Sequence, residues 1–162
     1  MIADPVLRSA GLADAGLLAT LHTDCFEDSW STGAMIEVMR SPGTFGFLVE
    51  LQPMMPVALA LGRIAADEAE LLTIGVARAW RRAGLARRLI RAVADEARGR
   101  GARRLFLEVA EDNTAARTLY GAESFQIVGR RRAYYTRPGG SAIDALTMRR
   151  DLARGWRWLI GR

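Results

Sequence analysis

Apolar residues along this chain alternate between two periods, and the switches between them predict its elements. Leu17, Leu18, Leu21 and Cys25 recur at spacings of three and four, which predicts an amphipathic helix starting near Asp14. "SWSTGAMIEVMR" predicts a second helix, capped by Ser31 or Thr32. "TFGFLVE" and "VALALGRI" read as short strands parted by the turn-forming "QPMMP". "AELLTIGVA" is a further apolar strand, in which Gly75 marks a bulge or a close backbone approach.

From Gly84 to Arg98 the apolar period is helical again. Leu85, Leu89, Val93 and Ala97 recur every four residues, Arg87, Arg91 and Arg98 take other faces, and Gly99 is the expected C-cap. "RRLFLEVA" predicts a strand and "NTAARTLY" a short helix with Asn113 at its N-cap. "FQIVGRRRAYY" and "DALTMRR" predict two closing strands joined through "TRPGG". The sum is a mixed α/β domain built on one sheet.

No repeat, low-complexity block or linker divides the chain, so a single domain is expected over residues 1–152, followed by a basic aromatic tail at 153–162. That tail, with Trp156, Trp158, Leu159 and Ile160, has a composition suited to a membrane or ribosomal RNA surface; a short terminal helix is the simpler expectation.

The length of 162 residues fits one domain with a sizeable core. No stretch approaches the ~20 apolar residues of a membrane span. Asp4 and Pro5 stand where a signal peptide carries basic and then apolar residues, and Cys25 is the single cysteine, so a soluble cytoplasmic protein is expected. All 23 basic residues are Arg. Without a lysine, a Walker-type phosphate loop, a Schiff base and a PLP enzyme are excluded. The same bias makes each single Arg weaker evidence of function. The net charge of +5 and pI near 10.5 predict an anionic partner: nucleic acid, a membrane surface or a phosphorylated cofactor.

One stretch narrows that choice. A strand ending at Val76, the turn "ARAWRRAG" and a helix from Gly84 aim unpaired N–H groups and a positive dipole end at one spot. Gly84 permits close approach, Ala86 is small, and Arg81, Arg82 and Arg87 add charge for a pyrophosphate. Taken alone, the motif is equally an amphipathic helix with solvated Arg.

The order "LLTIGV", Arg81-x-x-Gly84-x-Ala86, helix, "LFLEV", "NTAARTLY" and Phe125 resembles the GNAT (GCN5-related) N-acetyltransferase superfamily, from roughly Leu48 to Leu152. "LEVAEDNTAARTLY", "GRRRAYY", "DALTM" and "CFEDSWS" are similar to its RimI branch, the ribosomal-protein-alanine N-acetyltransferases. The resemblance implies an acyl-CoA N-acyltransferase fold, a mixed, mostly antiparallel sheet splayed in the middle and flanked by helices. It implies acetyl-CoA as cosubstrate, with pantetheine amides pairing with the backbone around Ile74 and Val76. The pyrophosphate would rest on Arg82, Ala83, Gly84, Leu85, Ala86 and Arg87, beside Arg81. The family usually has a Gly before the aromatic at Phe125 and an apolar residue before that; here these are Ser124 and Glu123, so the turn is expected to depart from the family's geometry.

Acetyl transfer needs a neutral amine, and an α-amine with pKa about 7.7–8.0 is partly neutral already, so a modest base suffices. Strand alternation puts Phe106 and Glu108 on the face opposite Leu105, Leu107 and Val109, which places Glu108 among apolar neighbours as a base acting through water. The alternative is a surface carboxylate paired with Arg103 or Arg104. Asn113 and Tyr120 lie seven apart, about two turns at 3.6 residues each, and share a face. By resemblance Tyr120 protonates the departing thiolate, and Asn113 holds pantetheine or caps the helix; a plain core role for Tyr120 is the alternative. Glu27, Trp30, Tyr134 and Tyr135 are assigned to the acceptor by the same resemblance. His22 reads as a packed or solvated side chain, and no residue cluster has metal-ligand spacing. In "GRRRAYY" Arg130 and Arg132 alternate with Arg131, so no broad nucleic-acid face is expected.

The expectation is therefore a monomeric cytoplasmic enzyme that acetylates a protein α-amine, the N-terminal alanine of a ribosomal protein. The acceptor implied by the branch is Arg-rich, and a chain of charge +5 repels it unless Asp24, Glu27, Asp28 or Glu37 line the groove. The alternatives are an acetyltransferase for small amines and a non-enzymatic, Arg-rich RNA- or ribosome-binding module.

Overall fold

The computed structural model describes residues 4–52 and 54–152; the tail at 153–162 lies outside the described residues. Seven strands form one sheet in the order β1-β2-β3-β4-β5-β7-β6. They are β1 (Val6–Ala10), β2 (Thr44–Glu50), β3 (Pro56–Ala65), β4 (Glu68–Val76), β5 (Arg104–Ala110), β6 (Gln126–Thr136) and β7 (Ala142–Asp151). The helices are α1 (Ala15–Cys25), α2 (Thr32–Arg40), α3 (Leu85–Gly99) and α4 (Thr114–Ala122).

The stripe Leu85, Leu89, Val93 and Ala97, widened by Ile90 and Ala94, is buried against β2, β3 and β4. Leu18, Leu21 and Met35 of α1 and α2 cover the other face of those strands together with Leu48, Leu59 and Leu61. Both faces of β2 and β3 are thus covered, which is why their sequences are near-continuous apolar runs rather than alternating ones. Ser31, not Thr32, caps α2 by accepting the Ala34 N–H at 3.1 Å. No helix among the described residues is long and apolar enough to cross a membrane.

All neighbouring strands are antiparallel except β4 and β5, which run parallel and pair only over Glu68–Arg104, Ala69–Leu105 and Glu70–Phe106. Beyond Glu70 the two strands part. The sheet is therefore splayed in its middle, as expected, and the backbone edges of β4 and β5 face each other across a cleft.

Several local expectations change. β1 went unpredicted because five residues with Arg8 at their centre show no apolar run; they pair along the edge of β2, and Arg8 reaches Glu50 at 2.8 Å and Asp14 at 2.9 Å. Gly99 is the last helical residue of α3, and the left-handed residue that follows is Gly101 (φ +98). The bulge in β4 falls on Leu72, since Thr73 pairs with Leu61 and Leu71 with Gly62. Gly75 is instead a close approach: a Cβ there would lie 2.9 Å from Cys25 Cβ and 3.0 Å from Phe26 Cε2.

The two departures at the α4 turn are accommodated. Ser124 adopts φ +69, the left-handed region in which a glycine is free of strain. Glu123 is only 6% exposed, and its carboxylate holds Arg87 at 2.9 Å and Arg91 at 3.1 Å. Two arginines of α3 thus neutralise the buried carboxylate and tie the end of α4 to α3.

Candidate active site

The splay opens a cavity of about 620 Å³. One wall is β4 from Leu71 to Gly75, the opposite wall is β5 from Leu107 to Ala110, and α4 contributes Ala116, Leu119 and Tyr120. Residues 25–28, at and after the end of α1, close one rim, and Tyr135 and Arg137 another. Gly75 sets that first rim, because only a residue without Cβ lets Cys25 and Phe26 lie directly on β4.

The start of α3 reaches the cavity through Ala86. Arg82 has φ +66 and Gly84 φ +80, so the loop before the helix turns through left-handed residues, a conformation that gathers backbone N–H groups into a concave nest. The first backbone bond at the helix start runs from Arg88 N–H to the Gly84 carbonyl at 3.1 Å. The N–H groups of Leu85, Ala86 and Arg87 precede it and have no intrahelical acceptor. A Cβ on Gly84 would meet nothing within 4 Å, so glycine is needed there for its φ rather than for space. Arg81, in the loop before the helix, donates from Nε to the Val76 carbonyl at 3.0 Å. Arg87 is shared with Glu123, so the charge expected of it toward a pyrophosphate is partly committed to the α3–α4 contact.

The geometry brings together Ile74, Ala86, Glu108, Asn113, Tyr120, Tyr135 and Glu27, all of which line the cavity. Val76, Arg81, Arg82, Ala83, Gly84, Leu85 and Arg87 lie outside its lining: Leu85 is buried in the core, and residues 81–84 are exposed in the loop. Tyr134 also lies outside, half exposed, with its ring edge-on to Tyr135 at 5.0 Å. Trp30 stacks on His22 at 4.8 Å instead of facing the cavity. Of the acidic candidates, Glu27 and Asp28 line the cavity, and Asp24 and Glu37 do not.

Glu108 shares the cavity with Leu71, Leu72 and Ile74 but is not without a charged partner. Its side chain is 23% exposed and ion-paired with Arg131 of β6 at 3.0 Å. The alternation of β5 is as read, but a strand pattern is blind to what β6 supplies from two places over in the sheet. The expected partners Arg103 and Arg104 are not the ones it takes: among the described residues its ion pair is with Arg131, and Arg104 pairs with Glu68 at 3.4 Å. Asn113 caps α4, its Oδ1 accepting the Ala116 N–H at 3.2 Å. Tyr120 is 7% exposed, and burial pushes its hydroxyl up to about 12. Burial likewise raises Tyr135, helped by the charge of Glu108. His22 is packed, as expected, and burial lowers its pKa.

Sequence reasoning missed Arg137 and Thr73. Arg137 bridges to Asp112 across the cavity rim, and its only signal was a place in the turn "TRPGG". Thr73 faces the cavity from a strand read merely as apolar. β6 is irregular, with register shifts after Ile127 and after Arg131, and Ala133 at φ +52 donates its N–H to Asp144 at 2.9 Å. Arg130 and Arg131 alternate as expected and the break comes only after Arg131; Arg130 is held by Glu111 at 2.7 Å and Arg131 by Glu108. Among the described residues no group of three His, Cys, Asp or Glu could hold a metal.

Comparison with known proteins agrees with this arrangement. Residues 17–124 match the model of the acetyltransferase (GNAT) family. The N-alpha-acetyltransferase RimI of Mycobacterium tuberculosis is 40% identical over 148 residues, 86% of this chain and 87% of that protein. The crystal structure of the ribosomal-protein-S18-alanine N-acetyltransferase from Escherichia coli superposes with a TM-score of 0.85 at 27% identity, covering 93% of this chain and 95% of that one. The fold is also that of Arabidopsis thaliana NAA60 in complex with acetyl-CoA, with a TM-score of 0.79 at 20% identity over 92% of this chain and 99% of that one.

Proposed function

The chain belongs to the GNAT acetyltransferase family, and from that premise we propose that it moves an acetyl group from acetyl-CoA directly to the N-terminal α-amine of a protein, the N-terminal alanine of a ribosomal protein. The observation that carries this reading is the cleft itself. It lies between two parted strands, takes Ala86 from the start of α3 into its lining, and carries the carboxylates of Glu27 and Asp28 in its wall. A phosphorylated thioester suits the free N–H groups at the start of α3, and an amine next to basic residues suits the carboxylates. The names of the RimI relative and of the S18-alanine enzyme support the choice of acceptor.

In this reading the start of α3, with residues 81–87, holds the pyrophosphate, and the edge of β4 around Ile74 and Val76, where Arg81 already holds the Val76 carbonyl, takes the pantetheine amides. The cosubstrate supplies an acetyl group activated as a thioester. Glu27 and Asp28 draw the acceptor in, and Tyr135 borders it. As the amine nitrogen bonds to the acetyl carbon, Glu108 accepts the amine's proton through a water, and the carbon–sulfur bond breaks. Tyr120 serves the departing sulfur, which leaves as a thiol. The sulfur takes up one proton for the one that Glu108 removes, and exchange with water keeps the count balanced.

The test is the intact mass of a peptide beginning Ala-Arg, and of a panel of small amines, after incubation with enzyme and acetyl-CoA. Acetylation confined to the peptide's α-amine is expected; acetylation of the small amines alone overturns the acceptor assignment. The double variant Glu27→Lys/Asp28→Lys should raise the KM for that peptide at least about tenfold through like-charge repulsion, with the Kd for acetyl-CoA unchanged within about twofold. Equal weakening of both ligands would show that the two carboxylates act on the fold rather than on the acceptor.

A further inference from the structure

The hydrogen-bond polarity around His22 determines where one hydroxyl hydrogen in the cleft must point. The backbone N–H of Trp30 can only donate, and it reaches His22 Nδ1 at 3.1 Å. Nδ1 therefore carries the lone pair. The ring is 3% exposed, stacked on Trp30 and tilted against Phe26 at 4.4 Å, surroundings that favour its neutral form. A neutral ring with a bare Nδ1 bears its hydrogen on Nε2, and Nε2 faces Thr73 Oγ1 at 3.2 Å. Thr73 Oγ1 is thus the acceptor of that bond. Its own hydrogen is left over, finds no acceptor among the described residues, and belongs to a side chain that lines the cleft.

We infer that the Thr73 hydroxyl, turned by His22, donates a hydrogen bond to the carbonyl oxygen of the acceptor's first residue, and so selects peptide amines over plain alkyl amines. The inference rests on the reading of the acceptor as a protein N-terminus. The carboxylates that share this cavity, Glu27, Asp28 and Glu108, suit the amine and can accept only. A hydroxyl hydrogen among them is suited to the complementary group. In a peptide the acceptor-only group nearest the α-amine is the first carbonyl, two bonds beyond the nitrogen's carbon neighbour. A plain alkyl amine has none and leaves the hydroxyl unpaired. His22 touches neither reactant and acts as a positioning residue.

The experiment compares a peptide beginning Ala-Arg with an analogue whose first peptide unit is replaced by a trans-alkene, which keeps the shape and lacks the carbonyl. The wild type should prefer the peptide by about tenfold in kcat/KM, the size of one net hydrogen bond. Thr73→Val should remove that preference through the peptide's KM and leave the analogue within about twofold, whereas Thr73→Ser should retain it. His22→Phe should lose the same preference and add nothing further in the Thr73→Val background. The Kd for acetyl-CoA, measured for each variant, reports whether the cleft is intact; where His22→Phe fails to fold, the two Thr73 variants decide. Equal loss on both acceptors in Thr73→Val, or a preserved preference, overturns the inference. A wild type that acetylates neither peptide nor analogue but does acetylate small amines overturns the acceptor reading and this one with it, a result distinct from the former.

Discussion

Replacing Tyr120 by phenylalanine should lower kcat about 10²-fold while the KM for acetyl-CoA stays within about threefold. The size follows from what the phenol can do. Burial holds its hydroxyl at about 12, whereas an ordinary thiol ionises near 8.5. Full proton transfer from the resting phenol to a thiolate is thus uphill by about 3.5 pK units, roughly 5 kcal/mol at 1.36 kcal/mol per unit. In the proposed reading Tyr120 therefore serves the sulfur as a charge-assisted hydrogen-bond donor while the carbon–sulfur bond lengthens, a contribution of about 1.5–3 kcal/mol. At about tenfold per 1.4 kcal/mol, that range brackets a 10²-fold loss. Single-turnover kinetics with saturating acetyl-CoA would measure it, and an unchanged chemical rate would reduce Tyr120 to a core aromatic.

The same burial predicts the pH behaviour. The phenol stays protonated throughout the neutral range, so the wild-type rate should rise with the acceptor amine near pH 8 and show no falling limb from Tyr120 below about pH 10. The folded state keeps the proton above the ordinary value of 10.0, so stability is unaffected below pH 10 and declines as pH rises from 10 to about 12. Among the chain's three tyrosines, the last tyrosinate to appear in an ultraviolet titration should be missing in Tyr120→Phe.

Glu108→Gln should cost about 10²-fold in kcat at neutral pH, the lower range of general-base contributions. The deficit should shrink above pH 8, where the acceptor amine is already neutral and the base is less needed. Because Glu108 is also the ion-pair partner of Arg131, the loss alone would not separate chemistry from anchoring of β6. Arg131→Gln separates them, since it removes the ion pair and leaves the carboxylate in the cavity. It should cost no more than about threefold, in keeping with the small worth of partly exposed ion pairs. Equal losses in the two variants would mean that Glu108 only holds β6 in place.

Much of this molecule was legible in its local pattern. The α3 stripe, the β2 and β3 runs and the Asn113 cap were read correctly because each is decided by neighbours within a few residues. β1 escaped because an edge strand of five residues with a central arginine owes its existence to β2 and to the carboxylates of Glu50 and Asp14, neither of which is near in sequence. Trp30 was expected at the acceptor and is instead spent on His22, a contact that depends on how the chain turns after α1.

Sequence by itself determined the residue types at the cleft: the Gly84 that the loop's left-handed turn requires, the acidic pair at 27 and 28, and Glu108 and Tyr120 at spacings matched by a strand and a helix. Their environments came only with tertiary structure. Whether Glu108 is bare or paired depended on Arg131 from a strand with a broken register. That Glu123 could replace an apolar residue depended on two arginines one turn apart on another helix. The direction of the Thr73 hydrogen depended on a backbone N–H at Trp30 and a ring on α1. The physical reason is common to all three: propensity and periodicity are short-range properties, whereas charge pairing and hydrogen-bond polarity are properties of atoms that meet only when the sheet has assembled.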